Sequence, residues 1–271
     1  MDLSDAYANA AHIPGAEAYP ARWAARAAAF RAGLGARAET GLAHGPGPRE
    51  VLDLFHPEGP AQGTMVFVHG GYWRAFGPQD WSHLAAGALA RGWAVAMPGY
   101  ALCPEVRIAT ITAQVARAIE CLAARTTGPL VLAGHSAGGQ LVARMLAPGL
   151  LSAGVAGRLR AVMPISPLSD LRPLMQTAMN ADLCLDDAEA RAESPLLMAA
   201  RLPVPVTVAV GAAERPAFLD QARWLAEAWG AGHMVLDGRH HFDVIDLLAD
   251  PGAPMLSRLL DDPSGPSQKI P

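Results

Sequence analysis

Charged residues and cysteines are both scarce in this sequence. Charged side chains make up only 17% of the 271 residues, against 51% for hydrophobic ones, so the chain can bury a large core and extended disorder is excluded. The three cysteines, Cys103, Cys121 and Cys184, lie far apart and form no CxxC pair. This pattern argues against a disulfide framework or a zinc site and favours a reducing compartment.

Signals for nucleic acid, nucleotides, metals and membranes are also missing from the sequence. The net charge of −4 and the pI of about 6.1 give no basic surface for nucleic acid. Without an HExxH, G-x-G-x-x-G or P-loop motif, we expect neither a metal nor a cofactor. No apolar run reaches the ~18 residues of a membrane span, and no signal peptide is visible. We therefore expect a cytoplasmic protein.

Apolar runs and helical patterns alternate along most of the chain. Strands are predicted over 51–55, 64–68, 93–97, 130–133, 161–165, 204–210 and 233–236. Helices are predicted over 21–32, 81–91, 108–125, 139–146 and 218–229, with a last one starting over 243–248. Such alternation is typical of βαβ units, so we predict an α/β protein with a mainly parallel, twisted sheet flanked by helices.

The length fits one large domain, and we predict a single domain over 1–271. Residues 1–48 are predicted to be an N-terminal segment of helix and loop, with the glycine- and proline-rich stretch 40–48 as a loop. Residues 166–203 carry several prolines and interrupt the alternation, so we predict a small cap insertion there. Residues 262–271 are predicted to be a polar tail.

The segment Gly134-His135-Ser136-Ala137-Gly138 matches the G-x-S-x-G pattern of a catalytic serine. An apolar run precedes it and a helical pattern follows it, which is the strand–turn–helix setting of a nucleophile elbow. In an elbow the serine hydroxyl points out from the sheet edge, and the flanking glycines avoid steric clashes. We therefore predict Ser136 as the nucleophile of an acyl-transfer reaction. The alternative is an ordinary glycine-rich turn that contains a serine.

A second glycine-rich segment, His69-Gly70-Gly71-Tyr72-Trp73, directly follows the predicted strand 64–68. Acyl transfer needs N–H donors aimed at the oxyanion that develops on the substrate. Two adjacent glycines let backbone amides point into a site, and related H-G-G-G loops work in this way. The predicted donors are the amides of Gly71, Tyr72 and Ala137. The alternative is a plain turn with a buried histidine.

A serine nucleophile needs a base, which follows it in the chain order of this elbow type. The chain has three histidines after Ser136. His233 begins an apolar strand and is predicted to pack or to lie at a sheet edge. His240 and His241 lie in the loop between the last strand and the last helix, where the base is expected. The residues alone leave His240 and His241 as alternatives.

A carboxylate that orients the base is expected on the loop after the strand that follows the insertion. Glu214 is the first carboxylate on that loop, in Gly211-Ala212-Ala213-Glu214. Four further carboxylates stay open as alternatives because they lie near the same strand, the preceding strand or the histidines: Asp170, Asp220, Asp237 and Asp243.

The two glycine-rich segments, together with His241-Phe242-Asp243, resemble the kynurenine formamidases (arylformamidases), relatives of the hormone-sensitive-lipase-type esterases. Tyr-Trp in place of a third glycine after His69 separates this group from the H-G-G-G esterases. The resemblance covers about residues 50–260 and includes the segments Ser166-Pro167-Leu168-Ser169-Asp170-Leu171, Ser194-Pro195 and Gly211–Phe218. It implies the α/β-hydrolase fold.

By position, the resemblance implies Ser136 as nucleophile, His241 rather than His240 as base, and Glu214 as acid. Animal members of the family carry Asp where this chain has Glu214, so the loop backbone must lie slightly farther from His241. The implied reaction is hydrolysis of N-formyl-kynurenine to kynurenine and formate, without a cofactor. A general carboxylesterase or arylesterase is the first alternative, and a non-catalytic binding module of the same fold is the second.

Four aromatic residues flank the predicted catalytic groups: Tyr72, Trp73, Phe218 and Phe242. We predict that they wall a short, flat pocket for an aryl group beside a formyl or acetyl group. The alternative is that the rings pack the core, which is the commoner use of Trp and Phe. The expected partner is thus a small molecule with an aryl group, and the sequence leaves the oligomeric state open.

Overall fold

A computed structural model describes residues 2–261, so the predicted polar tail 262–271 lies outside the described residues. The described part of the chain contains one sheet of eight strands. The strands are β1 Ala38–Ala43, β2 Val51–Phe55, β3 Thr64–Val68, β4 Ala94–Pro98, β5 Leu130–His135, β6 Leu159–Ile165, β7 Thr207–Gly211 and β8 Gly232–Leu236.

The α-helices lie before, between and after these strands. They are α1 Tyr19–Leu34, α2 Ala86–Ala90, α3 Ile108–Ala123, α4 Ala137–Arg144, α5 Ala153–Ala156, α6 Asn180–Leu183, α7 Asp187–Ala192, α8 Pro216–Trp229 and α9 Pro254–Leu260. Short 3-10 helices cover Asp5–Tyr7, Ala10–His12, Ala16–Ala18, Gly35–Arg37, Pro78–Asp80, Ser82–Ala85, Arg172–Gln176, Pro195–Leu197 and Val244–Ala249.

The strand order in the sheet is β1-β2-β4-β3-β5-β6-β7-β8. β2 pairs antiparallel with both of its neighbours, β1 and β4. From β4 onward, β3, β5, β6, β7 and β8 continue the sheet as parallel strands. This arrangement confirms the predicted mainly parallel sheet flanked by helices. Because the carboxyl ends of parallel strands meet at one edge, the loops after β3, β5, β7 and β8 converge there.

Two hydrophobic cores lie on opposite faces of the sheet. In β3, Val66 and Val68 belong to one core, while Met65 and Phe67 belong to the other. Successive side chains of a strand point to opposite faces, and a strand covered by helices on both sides needs apolar residues at every position. The continuous apolar run 64–68 is therefore explained by burial on both faces.

The prediction of a loop over 40–48 is wrong at its start, because β1 extends through Ala43. β1 pairs antiparallel with β2 at the edge of the sheet, and its register shifts between Glu39 and Leu42. Gly41, at φ 72°, lies within this irregularity. An exposed edge strand needs no apolar pattern, so the sequence Ala-Glu-Thr-Gly-Leu-Ala gave no strand signal.

The segment 166–203 has no strand and consists of α6, α7 and two 3-10 helices. It contacts the N-terminal strap, a name used here for residues 2–18. The Leu3 amide donates to the Gln176 carbonyl at 2.9 Å, and the Ala178 amide donates to Ser4 Oγ at 2.9 Å. At its other side the strap is tied by Asp5, whose carboxylate lies 2.7 Å from Arg215 Nη2. The strap thus spans from the insertion to the start of α8.

Helices long and apolar enough to cross a membrane are absent from residues 2–261.

Candidate active site

The turn from β5 into α4 holds Ser136 in a backbone conformation that non-glycine residues rarely adopt, with φ 55° and ψ −116°. A Cβ atom on Gly134 would lie 2.1 Å from the Gly138 carbonyl oxygen, and one on Gly138 would lie 2.0 Å from that of Val68. Neither position can therefore accept a side chain. The strained turn of a nucleophile elbow is present at the predicted place.

The segment after β3 packs directly against this elbow. A Cβ on Gly70 would lie 3.0 Å from Ser136 Cβ. Positive φ angles at Gly71 (109°), Tyr72 (52°) and Trp73 (55°) turn the chain back on itself. The resulting turn is closed by the Arg74 amide, which donates to the Gly71 carbonyl at 2.9 Å.

Among the described residues, the amides of Gly71, Tyr72 and Ala137 donate to no backbone or side-chain acceptor. Free amides beside a serine are what an oxyanion site requires. The geometry brings the three predicted donors to the same sheet edge as Ser136, and their role stays a prediction.

His69 stabilises the turn over residues 69–74, a structural role that the sequence analysis did not predict. Its ring stacks on Tyr100 at a centroid distance of 4.3 Å. Its Nδ1 lies 2.7 Å from the Gly70 carbonyl, and the Tyr100 hydroxyl donates to the His69 carbonyl at 2.8 Å. Complete burial lowers the pKa of His69 to about 4. His69 is therefore a neutral structural residue at neutral pH.

The loops after β7 and β8 bring Glu214 and His241 together. His241 Nδ1 lies 2.6 Å from Glu214 Oε2, and the two side chains are 5% and 0% exposed. A carboxylate at Nδ1 fixes the proton on that nitrogen and leaves Nε2 as the basic atom. Ser136 and His241 line the same cavity. Within residues 2–261 the Ser136 hydroxyl forms no hydrogen bond, and such contacts are often loose before substrate binds.

His240 takes a different direction from its neighbour. Its Nε2 lies 3.1 Å from the Tyr19 hydroxyl, and its ring contacts Tyr19 edge-on. Of the alternative acids, Asp170 pairs with Arg172, Asp220 pairs with Arg223, and Asp243 accepts from the His240 amide. Among the described residues, His241 and Glu214 thus contact each other. His240 and these three carboxylates have other partners.

Ser166 is a member of the site that sequence reasoning missed as a functional residue. Its hydroxyl donates to Glu214 Oε1 at 2.5 Å, and the Gly211 amide donates to the same oxygen at 2.9 Å. Ser166 has φ 48° and is fully buried. Both oxygens of Glu214 are therefore engaged, one by His241 and one by these two donors. The segment after β6 that resembles the formamidases carried the only sequence signal for Ser166.

A second histidine, His135, lies against the ring of His241 at a centroid distance of 4.6 Å. Burial lowers the pKa of His135 well below the usual value, and the neighbouring His241 lowers it further. His135 is therefore neutral at neutral pH and adds no competing positive charge beside His241. Phe218 covers another side of the His241 ring at 4.4 Å.

Above Ser136 lies a cavity of about 1050 Å³. Its aromatic walls come from Tyr7, Trp23, Tyr72, Phe76, Trp81 and Phe242. Most of one side is formed by the N-terminal strap and the start of α1, and the insertion adds Met179 and Asp182. The strap therefore lines the cavity together with the insertion. This role of residues 2–18 has no signal in the sequence.

The prediction that Trp73 and Phe218 wall the pocket is wrong, because neither lines the cavity. Both side chains are fully buried. Trp73 points into the core, where its Nε1 donates to Gln140 Oε1 at 3.2 Å. Phe218 packs between His241 and Tyr7. Only Tyr72 and Phe242 of the four predicted pocket residues line the cavity.

Groups of three or more His, Cys, Asp or Glu side chains that could hold a metal ion are absent from the described residues. The chemistry the arrangement offers is instead acid–base and nucleophilic, from Ser136, His241 and the buried Glu214.

Comparison with known proteins places this architecture in a family. The family model for the alpha/beta hydrolase fold matches residues 65–233. Kynurenine formamidase of Danio rerio is 27% identical over 231 residues, which cover 80% of this chain and 78% of the relative. Kynurenine formamidase of Drosophila melanogaster is also 27% identical, over 76% of this chain and 75% of the relative.

Solved structures of other hydrolases have the same fold as this chain. A crystal structure from Silicibacter sp. TM1040, provisionally assigned as a thioesterase, is 57% identical, has a TM-score of 0.94, and covers 96% of this chain and 99% of its own. Esterase B from Lactobacillus rhamnosis has a TM-score of 0.66 at 18% identity, over 93% of this chain and 91% of its own, and shows the likeness of fold alone. The chain is similar in sequence to kynurenine formamidases, and it belongs to the α/β-hydrolase family.

Proposed function

We propose that the protein is a serine hydrolase that removes a formyl or acetyl group from an aryl amine or an aryl ester. The observation that carries the proposal is the buried contact of 2.6 Å between His241 Nδ1 and Glu214 Oε2, at the cavity that Ser136 also lines. A buried acid–base pair beside a serine on a strained turn is the arrangement that activates a nucleophile.

In the proposed reaction, Ser136 Oγ attacks the acyl carbonyl carbon while His241 Nε2 takes the hydroxyl proton. Glu214 stabilises the imidazolium that forms, and its geometry is held by Ser166 and the Gly211 amide. The negative charge that develops on the carbonyl oxygen is bound by the amides of Gly71, Tyr72 and Ala137.

The proposed tetrahedral intermediate collapses when His241 gives its proton to the leaving nitrogen or oxygen, which breaks the bond to the acyl carbon. A water molecule then attacks the acyl-serine, with His241 again as the base. The second tetrahedral intermediate collapses when His241 returns that proton to Ser136 Oγ, which breaks the bond between Oγ and the acyl carbon. This step regenerates the Ser136 hydroxyl and releases the small acid, which is formate when the acyl group is formyl.

The leading substrate is N-formyl-kynurenine, whose hydrolysis is a reaction of tryptophan catabolism. The relatives from Danio rerio and Drosophila melanogaster carry the name kynurenine formamidase. This chain matches each of them over three quarters or more of its length. The aromatic lining of the cavity suits an aryl group, and Tyr72 and Phe242 line the same cavity as Ser136. No cofactor is required for this chemistry.

A general carboxylesterase is the second candidate. A cavity of about 1050 Å³ is at the upper end of the range for small-molecule sites, so larger esters also fit. The relative that is 57% identical is provisionally assigned to thioesters, which the same acyl-transfer groups can cleave.

The test is kcat/KM for N-formyl-kynurenine, p-nitrophenyl acetate, p-nitrophenyl octanoate and an aryl thioester. A preference for the formamide or the acetate supports the proposal. Faster octanoate or thioester hydrolysis contradicts the small-acyl preference, and brisk acetate hydrolysis without formamide turnover leaves an arylesterase.

A fluorophosphonate probe separates the enzyme from a non-catalytic binding module of the same fold. Because the probe requires an activated serine, it should label the wild type at Ser136 and should not label the Ser136→Ala variant. A folded wild type that stays unlabelled would contradict the serine mechanism.

The proposed compartment is the cytoplasm. Cys103, Cys121 and Cys184 are all free thiols, and free thiols persist in a reducing compartment. Fractionation of the native host with antibody detection tests this assignment.

A further inference from the structure

Among the described residues, three acidic or basic side chains line the cavity besides His135 and His241. They are Glu17, Arg74 and Asp182. The rest of its lining is apolar or neutral. Charged groups in a mostly apolar cavity are the groups that fix the orientation of a ligand. Their chemistry therefore indicates which part of a substrate faces them.

Arg74 and Asp182, which both line the cavity, form an ion pair with Arg74 Nη2 at 2.6 Å from Asp182 Oδ2. Their side chains are 36% and 42% exposed, and pairs this exposed contribute little to stability. Arg74 belongs to the same turn as Gly71, to whose carbonyl its amide donates. Asp182 belongs to α6 of the insertion. The pair therefore connects the predicted oxyanion loop with the cover of the site.

Both partners keep free hydrogen-bonding capacity. Within residues 2–261, Asp182 is the partner that the Arg74 guanidinium contacts, and Arg74 is the partner that the Asp182 carboxylate contacts. A guanidinium has five N–H donors and a carboxylate about four acceptor positions. Each group can therefore bind a ligand charge without breaking the ion pair.

An α-amino acid carries a carboxylate and an ammonium on one carbon atom, so it can dock on an adjacent cation and anion with both charges matched. We propose that Arg74 binds the carboxylate, and Asp182 the ammonium, of an α-amino acid group at the end of the substrate remote from the scissile bond. The inference rests on the proposed function and deepens it, because it names the residues that select a zwitterionic aryl formamide.

Glu17 on the strap gives this selection a direction. It is exposed and forms no ion pair among the described residues. Two carboxylates and one guanidinium leave an excess of one negative charge at the cavity. A ligand with a carboxylate but no ammonium is therefore repelled, whereas a zwitterion is not.

The first experiment measures binding, so it does not depend on any hydrolytic activity. Isothermal titration calorimetry compares L-kynurenine with 2-aminoacetophenone, which keeps the aryl ketone and lacks the amino acid group. Arg74→Gln and Asp182→Asn should each raise the Kd of kynurenine by roughly 10- to 100-fold, the range for a hydrogen bond to a charged group. The Kd of 2-aminoacetophenone should change far less in the same variants.

Arg191→Gln is the matched control. Arg191 forms an ion pair with Asp187 at 2.8 Å on α7, also in the insertion but away from the cavity. Its removal should change neither Kd. A second measurement gives the kcat/KM ratio of N-formyl-kynurenine to 2-formamidoacetophenone, which should fall in Arg74→Gln and stay constant in Arg191→Gln.

The outcomes separate this inference from the proposed function. Equal weakening of both ligands in Arg74→Gln, or no kynurenine binding to the wild type, would overturn the inference. Formamide hydrolysis with a kynurenine affinity independent of Arg74 would overturn it while the proposed function stands. Arg74-dependent kynurenine binding without cleavage of either formamide would support the amino acid site and overturn the formamidase proposal.

Discussion

The loops at the sheet edge and the N-terminal strap face each other across the cavity and are built in opposite ways. Ser136, His241 and Glu214 are buried, and they lie on the turn or loops after β5, β8 and β7, respectively. The strap has only 3-10 turns and is tied to the rest by contacts such as the ion pair between Asp5 and Arg215. Groups that need a fixed geometry lie on the rigid sheet edge, and groups that cover the ligand lie on a segment without a strand.

If the sheet edge carries the reaction and the strap covers the ligand, changes at the sheet edge should lower kcat and changes at the strap should mainly alter KM. The largest effect is expected from Ser136→Ala. Removing the nucleophile should lower kcat for p-nitrophenyl acetate by at least ~10³-fold while ligand binding persists.

Steady-state kinetics with p-nitrophenyl acetate measures kcat, and calorimetry with L-kynurenine, the product of the proposed reaction, measures ligand binding. Ser257→Ala, in α9, is the control and should match the wild type. Turnover of Ser136→Ala within tenfold of the wild type would remove this serine from the mechanism.

His241→Ala should come next and resemble the loss of the serine, because within residues 2–261 His241 is the histidine that contacts Glu214. His240→Ala should be much milder, since that ring contacts Tyr19 instead. The adjacent histidines thus form a matched pair, and kcat of both variants is the measurement. Equal losses would show that the direction of the two rings does not decide which one is the base.

Glu214→Gln should lower kcat by less than the loss of the serine but still by orders of magnitude, because an amide cannot stabilise the imidazolium and can favour the wrong tautomer. Ser166→Ala should cost less, since Glu214 Oε1 keeps the Gly211 amide as a donor. Asp220→Asn, which breaks an exposed pair with Arg223, serves as the control. A harmless Glu214→Gln together with a damaging Asp170→Asn would show that the acid is wrongly assigned.

The smallest effect is expected from Tyr72→Phe, which sharpens the comparison where the two regions meet. The Tyr72 hydroxyl donates to the Tyr7 carbonyl at 2.6 Å. Losing this hydrogen bond should raise KM by about fivefold, the equivalent of about 1 kcal/mol, with kcat preserved because the amide stays.

Hydrogen exchange of residues 5–11 should become faster in Tyr72→Phe, which checks that the strap has loosened. Unchanged exchange with a raised KM would mean that the hydroxyl acts on the ligand itself.

Local motifs carried most of what could be predicted. The strand–turn–helix signal around Ser136 depends on residues that are adjacent in sequence, and the Cβ clashes at Gly134 and Gly138 explain why that signal is sharp. The choice between His240 and His241 came from a family resemblance, because the direction of two neighbouring rings depends on packing that a sequence does not display.

What the sequence did not reveal depends on contacts between distant segments. Trp73 and Phe218 are close to the predicted catalytic groups along the chain, yet both point into the core. Ser166 reaches Glu214 across 48 positions. The strap looked like ordinary helix and loop, since covering a cavity requires no periodic pattern.

The strap also bears on how this enzyme can diversify. The family model matches residues 65–233, so the strap lies outside the matched part. None of them contributes a strand to the sheet, and their replacement leaves the pairing of β1 to β8 intact. Changes in residues 2–18 can therefore alter the lining of the cavity, and with it the substrate range, while the strands and the residues of the reactive centre stay constant.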